Sequence, residues 1–252
     1  MMVGMEKSAC GKCGGAGWII VERDGLSGAE RCDCVQEGRQ QRLEEHAGIP
    51  PLYQRASLEN FQNLGHPGLS EVLNIVRAYT REFPLTPKPG LMLIGDPGTG
   101  KTHLAVAALR RLIAKGFEGL FCDYQNLLDR IRASYDQSSG ASDREAYRTA
   151  LDSEVLLLDD LGAHRVTEWV EDIVTSIVTW RCNNKKALIV TTNLPDAEAG
   201  DRLVERSSAL PGKIDYRVSL VDRIGVRAHS RLFEMCRVVR MPAVGDYRLR
   251  IK

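Results

Sequence analysis

Nowhere in the 252 residues does an apolar run approach the roughly 18 residues that a membrane helix needs. The opening stretch, Met1 to Lys7, has no continuous apolar segment of the kind a secretory signal carries, so the expected location is cytoplasmic, with no membrane partner. Surplus charge of either sign is also missing: 34 basic against 33 acidic side chains leave +1. Cysteines number seven, an odd total without a secretory signal, which argues against a disulfide framework. Hydrophobic residues at 43% and charged ones at 27% exclude a disordered, collagen-like or fibrous chain, and no internal repeat is present.

What is there is unevenly spread. The last 52 residues hold 12 basic and 6 acidic side chains, a bias that suits phosphates of nucleotide or nucleic acid, though an Arg-rich solvated face reads the same way. The length predicts between one and two domains. Three stretches stand out: a Gly- and Cys-rich segment over 1–45 with one strand-like run, Trp18 to Val21; a connector over 46–89; and an alternating region over 90–252. In the connector, apolar spacing predicts a helix from Leu69 to Phe83 with Ser70 as its N-cap, ended by Pro84, Pro87 and Pro89. Beyond Gly90, strands are predicted at Leu91–Ile94, Gly119–Asp123, Val155–Asp159 and Ala187–Thr192. Helices are predicted between them at Lys101–Lys115, Gln125–Tyr135, Asp143–Asp152 and Thr167–Cys182. Gln137 to Ser142 reads as a surface loop. Strand–helix alternation of this kind is an α/β fold with a central parallel sheet flanked by helices.

The segment Gly95, Asp96, Pro97, Gly98, Thr99, Gly100, Lys101, Thr102 fits G-x-x-x-x-G-K-[ST] and falls between a strand and a helix, where a phosphate-binding loop belongs. Its glycines let backbone N–H groups turn inward at a helix N-terminus, and His103 continues the site into that helix. Lys101 is expected to reach the β- and γ-phosphates, and the Thr102 hydroxyl to ligate Mg²⁺. Downstream, the apolar strand Val155–Leu158 ends in Asp159 and Asp160. The first is expected in the Mg²⁺ shell and the second to polarise the attacking water. Asn193, at the tip of another strand, suits a role at the γ-phosphate, although Asn before Leu194-Pro195 is also an ordinary turn residue. The implied ligand is ATP with Mg²⁺.

Arg223, Arg227 and Arg231 recur every four residues and would form one stripe on a helix, with Gly225 weakening that helix. Such a stripe is either an ordinary surface face or a set of fingers for a neighbour's nucleotide. Cys10, Cys13, Cys32 and Cys34 form a C-x₂-C…C-x-C pattern suited to one tetrahedral Zn²⁺, with Asp33 and His46 as weaker substitute ligands. The segment is too short for its own apolar core, so metal binding would be what folds it. Cys122, Cys182 and Cys236 are scattered and read as ordinary buried thiols.

The motifs Gly95–Ala105, Leu156–Ala163, Thr167–Trp169, Thr191–Leu194, Asp222–Leu232 and Gly245–Arg248, in that order, resemble the DnaC/DnaI-type AAA+ helicase loaders and the related IstB-type transposition ATPases. The resemblance spans about residues 48 to 250. It implies an AAA+ ATPase domain with a minimal C-terminal lid and a small N-terminal zinc-binding module that, as in DnaI-like loaders, docks on the helicase. It further implies Arg231 as a finger acting on a neighbouring chain, Arg227 as its support and Arg248 as the residue that contacts nucleotide within its own chain. Two departures from the pattern are visible: Asp160 stands where AAA+ proteins commonly have Glu, and only 59 residues follow Asn193, which argues against a DnaA-like initiator.

The leading expectation is an ATP-dependent loader of the hexameric replicative helicase onto single-stranded DNA, self-assembling when ATP-bound. The alternative is an IstB-like accessory ATPase that binds DNA and delivers a transposase. A P-loop small-molecule kinase is a third class, disfavoured by Thr191-Thr192-Asn193 and by Ser230-Arg231-Leu232.

Overall fold

This computed structural model describes residues 10–23, 26–63, 65–133, 142–163, 167–196 and 218–249. Most of the loop predicted at Gln137 to Ser142 lies outside them.

The chain starts with an antiparallel hairpin, β1 (Trp18–Arg23) and β2 (Leu26–Arg31), registered with Trp18 opposite Arg31. Helix α1 (Asp33–His46) follows directly. After a 3₁₀ turn at Pro51–Tyr53 comes α2 (Pro67–Glu82). The sequence periodicity places this helix correctly but not its start. Pro67 occupies the first helical turn, where its fixed φ suits a helix, and Ser70 lies inside, bonded to the His66 carbonyl.

The central sheet is built from β3 (Gly90–Ile94), β4 (Gly119–Asp123), β5 (Val155–Asp159), β6 (Ala187–Thr192) and β7 (Cys236–Arg240). All its pairings are parallel, in the order β4-β5-β6-β3-β7. The crossovers are α3 (Lys101–Ala114), α4 (Tyr124–Ala133), α5 (Ser142–Asp152), α6 (Glu168–Asn183) and α7 (Val221–Met235). Strands β3, β5 and β6 are buried at every position, which is why they read as unbroken apolar runs. Alternation across β3 divides the core. Leu91 and Leu93 face α2 and α3, whereas Met92 and Ile94 face the side formed by α4, α6 and α7. Phosphate-site loops therefore emerge at the carboxyl edge of a sheet covered on both faces.

Helix α6 is capped by the Thr167 hydroxyl, which accepts from the Val170 N–H at 3.3 Å. At its other end Arg181, wholly buried, donates to the carbonyls of Ala150, Leu151, Glu154 and Ala187 and so ties α5 to the starts of β5 and β6. Burial pulls its pKa down to about 9, so it stays charged near neutrality.

Gly225 breaks α7, with φ 78° and ψ 156°. That backbone conformation favours glycine, and a Cβ there would also crowd the Glu171 side chain, 2.1 Å from its carboxylate oxygen. The break takes Arg223 out of register with Arg227 and Arg231, so the predicted three-arginine stripe does not form. Arg223 is half-buried and the other two are exposed.

Candidate nucleotide and metal sites

The loop after β3 turns on two glycines with positive φ, Gly98 (77°) and Gly100 (93°). Gly100 caps α3 without a side chain, so the first-turn N–H groups remain available to an anion. Lys101 is 5% exposed, and its Nζ donates to the carbonyls of Gly95 and Asp96, each at 2.8 Å. Burial lowers its pKa, and Asp160, Asp159 and Asp96 oppose that shift. A phosphate would give this ammonium charged acceptors in place of neutral carbonyls. Thr99 closes the turn by donating to the Asp96 carbonyl at 2.8 Å; Asp96 and Pro97 are exposed at its tip. His103 directs its ring nitrogen to the Ser57 carbonyl at 3.0 Å and packs beside Phe61. Its side chain thus pins the 51–63 segment over the loop rather than joining the polar cluster.

That cluster is a chain of hydrogen bonds. The hydroxyls of Thr102 and Thr191 donate to Asp159 Oδ1 at 3.0 and 2.6 Å. The Asp160 N–H donates to the Thr191 hydroxyl at 2.9 Å, and Asn193 Nδ2 donates to Asp160 Oδ1 at 2.9 Å. Asp160 takes a left-handed conformation, φ 56°, that turns its carboxylate toward Asn193. Burial raises the Asp159 pKa, opposed first by the Thr191 bond. A hydroxyl and a carboxylate 3.0 Å apart are hard oxygen donors that fit Mg²⁺, whose charge would reverse that shift. Its chemistry there would be to neutralise the β- and γ-phosphate oxygens.

The C-terminal segment folds back onto the loop. The Tyr247 N–H donates to the Gly98 carbonyl at 2.9 Å, and a Cβ on Gly98 would meet the Asp246 carboxyl at 2.1 Å. Arg248 is thereby delivered to the loop, held bidentately by Asp246 at 3.1 and 3.2 Å. Tyr53 completes the cluster beside Thr102, Asp159 and Arg248, its hydroxyl pKa raised chiefly by burial.

Arg231 lies elsewhere. Strand β7 begins level with Gly90, so the end of α7 sits at the amino edge of the sheet, whereas the P-loop follows Ile94 at the carboxyl edge. Five strand residues separate the edges by about 16 Å. Arg231 pairs with Glu234 at 2.7 Å and lies beside Cys182 at the end of α6.

In the N-terminal module, the sulfurs of Cys10, Cys13, Cys32 and Cys34 all lie within 4.8 Å of one another. Cys10–Cys32 and Cys13–Cys34 are 3.8 and 3.5 Å apart. Four thiolates at about 2.3 Å from Zn²⁺ in a tetrahedron stand about 3.8 Å apart, so the four cysteines fit zinc. The Gly17 N–H donates to Cys13 Sγ at 3.3 Å and, as the main cause, lowers that thiol's pKa to about 6. Of the substitute ligands, Asp33 pairs with Lys12 at 3.0 Å, and His46 ends α1 some twelve residues beyond Cys34, about 18 Å along a helix. Neither joins the cluster.

Residues that sequence reasoning missed are Thr191, Tyr53, Asp246 and the buried Asp196. Thr191 carried a signal, since it precedes Asn193 on the same strand end, and Asp246 lies within the Gly245–Arg248 motif; Tyr53 and Asp196 come from segments with no motif of their own.

A sequence model of the IstB-like ATP binding protein family matches residues 39–225, about three quarters of the chain. The chain belongs to this family. Among curated relatives, the uncharacterised protein YdaV of Escherichia coli K12 is 29% identical over 195 residues, covering 74% of this chain and 77% of that one. The replicative helicase loader DnaC of the same strain is 27% identical over 172 residues, covering 67% and 69%. A solved structure of the DnaC helicase loader is 31% identical with a TM-score of 0.61, covering 77% of this chain and all of that one. Fold and family therefore match the AAA+ ATPases, and the relatives support an AAA+ loader or regulatory role in DNA metabolism. Of the two roles drawn from the sequence, the family match lies nearer the IstB-like one. No helix among the described residues is long and apolar enough to cross a membrane.

Proposed function

We propose that this protein is an ATP-hydrolysing AAA+ switch that assembles on DNA with nucleotide bound and delivers a second DNA-acting protein. The observation that carries the ATPase part is the unbroken hydrogen-bonded chain Thr102–Asp159–Thr191–Asp160–Asn193 beside the P-loop. In this reading the loop N–H groups from Gly95 to Thr102 and the Lys101 ammonium bind the phosphates. Thr102 and Asp159 hold Mg²⁺. Asp160, oriented by Asn193, accepts a proton from the attacking water, and Arg248 leaves Asp246 for the γ-phosphate. Arg231, supported by Arg227, serves the nucleotide of a neighbouring chain. Asp160→Asn removes the proton acceptor but keeps an oxygen for Asn193. Turnover is expected to fall by a factor on the order of 10² to 10³ with ATP affinity unchanged, measured by steady-state hydrolysis and nucleotide titration. Unchanged turnover would place the base elsewhere.

Two partners remain in view, each with its own support. The matched family favours the IstB-like reading, in which the cargo is a transposase. The four-cysteine module and the DnaC likeness favour a replicative helicase loaded onto single-stranded DNA. Immobilised protein is to be offered purified replicative helicase and purified IS21-type transposase, with and without ATP and DNA. ATP-dependent retention of one partner selects its reading; retention of neither under any condition sinks the delivery role.

A further inference from the structure

Three residues past Asn193, the Asp196 carboxylate is 1% exposed, a position that demands compensation for the lost hydration. His229 Nε2 lies 3.2 Å from its Oδ1, and Arg240 Nη2 donates to its Oδ2 at 3.3 Å. His229 is itself buried on α7, midway between Arg227 and Arg231, and its ring stacks on Phe233 with centroids 4.4 Å apart. Arg240 ends β7. A second bond, from the Leu220 N–H to the Pro195 carbonyl at 3.0 Å, joins the same strand end to the start of α7.

The topology gives this cluster its meaning. In the sheet, β6 and β7 flank β3, the strand that feeds the P-loop. A carboxylate after β6 that reaches Arg240 at the end of β7 therefore straddles β3, while His229 extends the tie to α7. The strand end that carries Asn193 is thus joined to the helix that carries Arg227 and Arg231. A purely structural brace would be cheaper with apolar side chains, because a buried charge network often contributes no more stability than well-packed hydrophobic residues.

We propose that Asp196 is a positioning residue: through His229 and Arg240 it holds α7 so that Arg227 and Arg231 are presented to the nucleotide of a neighbouring chain. This rests on the reading of Arg231 as a finger acting in trans, so its test carries its own control for that reading. The variant is Asp196→Asn, which keeps the side chain's shape and removes its charge. Alone, it is expected to lose turnover on the order of tenfold while binding ATP as tightly as the parent chain.

The discriminating readout is hydrolysis in mixtures at fixed total protein. Mixed with Lys101→Ala, whose own site is dead but whose arginines are intact, Asp196→Asn should regain activity. Mixed with Arg231→Ala, it should not, because it cannot supply a well-placed finger. No recovery in the first mixture, or recovery in the second, would overturn the proposal; a merely destabilised chain fails the first mixture. The control, Lys101→Ala with Arg231→Ala, contains no Asp196 variant. If it stays inactive, the trans reading falls and takes this proposal with it. Should Asp196→Asn not fold, Arg240→Gln enters the same mixtures with the same two outcomes, since the Arg240 side chain is 43% exposed and its loss spares the buried carboxylate.

Discussion

Replacing Arg231 with alanine is expected to lower ATP turnover by a factor on the order of 10³ while leaving the ATP affinity of the isolated chain unchanged. The asymmetry follows from the topology. Arg231 sits four residues before the end of α7, which lies at the amino edge of the sheet, and it contacts Glu234 and Cys182, whereas the P-loop lies at the carboxyl edge. An arginine so placed is not expected to bind its own chain's ATP. In the proposed arrangement, a neighbouring chain docked against α7 would give it a γ-phosphate to act on. Turnover per chain of the parent protein should accordingly rise with protein concentration. Arg231→Ala mixed with Lys101→Ala should recover part of it, because one chain lends its arginine and the other its P-loop. The exposed Glu234 pair offers little resistance to that exchange, since surface ion pairs are weak. Concentration-independent turnover together with an inactive mixture would remove the intersubunit mechanism.

How much of this was legible beforehand depends on where each residue's signal resides. The P-loop and the Asp159–Asp160 strand end were plain because close approach to phosphate restricts both residue type and spacing. Strands β3, β5 and β6 were plain because burial on both faces gives each of them a run of apolar residues. Strand β7 was not. It sits at the sheet edge with Arg237 and Arg240 exposed, and a five-residue segment with two arginines resembles a loop. Helix α1 was invisible for a similar reason: none of its residues is fully buried, so no apolar period marks it. The arginine stripe failed at Gly225, where spacing is a poor guide because a single non-helical residue resets the phase. Asp196 and Tyr53 had no pattern at all, and the Gly245–Arg248 motif pointed to Arg248 rather than to Asp246. Their importance arises from contacts between segments 40 or more residues apart, or from a carboxylate folded against the loop, which only the tertiary structure brings together.

The second large effect is expected on withdrawing metal from the N-terminal module. Among the described residues before Ala47, Cys32 is the only fully buried hydrophobic one. Trp18, Ile20 and Leu26 of the hairpin are 53%, 81% and 77% exposed. A hairpin without an apolar interior is marginal in water, so four thiolates around one Zn²⁺ are left to fold it; structural zinc contributes roughly 10–16 kcal/mol in small finger peptides. Protein as purified should contain one zinc per chain, and chelation should expose the peptide bonds of residues 10–34 to protease. The damage should stop within α1. Its second half is fastened to the ATPase domain by Arg39 donating to the Gly116 carbonyl, by the Glu44–Arg110 pair and by the packing of Leu43. The Ala47 carbonyl then accepts from the Phe121 N–H of β4 at 2.7 Å, which ends the dependent segment. Melting of the sheet and ATP affinity should be unaffected, whereas capture of a partner that docks on the module should be lost. Elemental analysis showing no stoichiometric zinc, or zinc retained after Cys10→Ser with Cys13→Ser, would refute the site. Chelation that lowers ATP affinity as well would mean that the module and the nucleotide site fold as one unit.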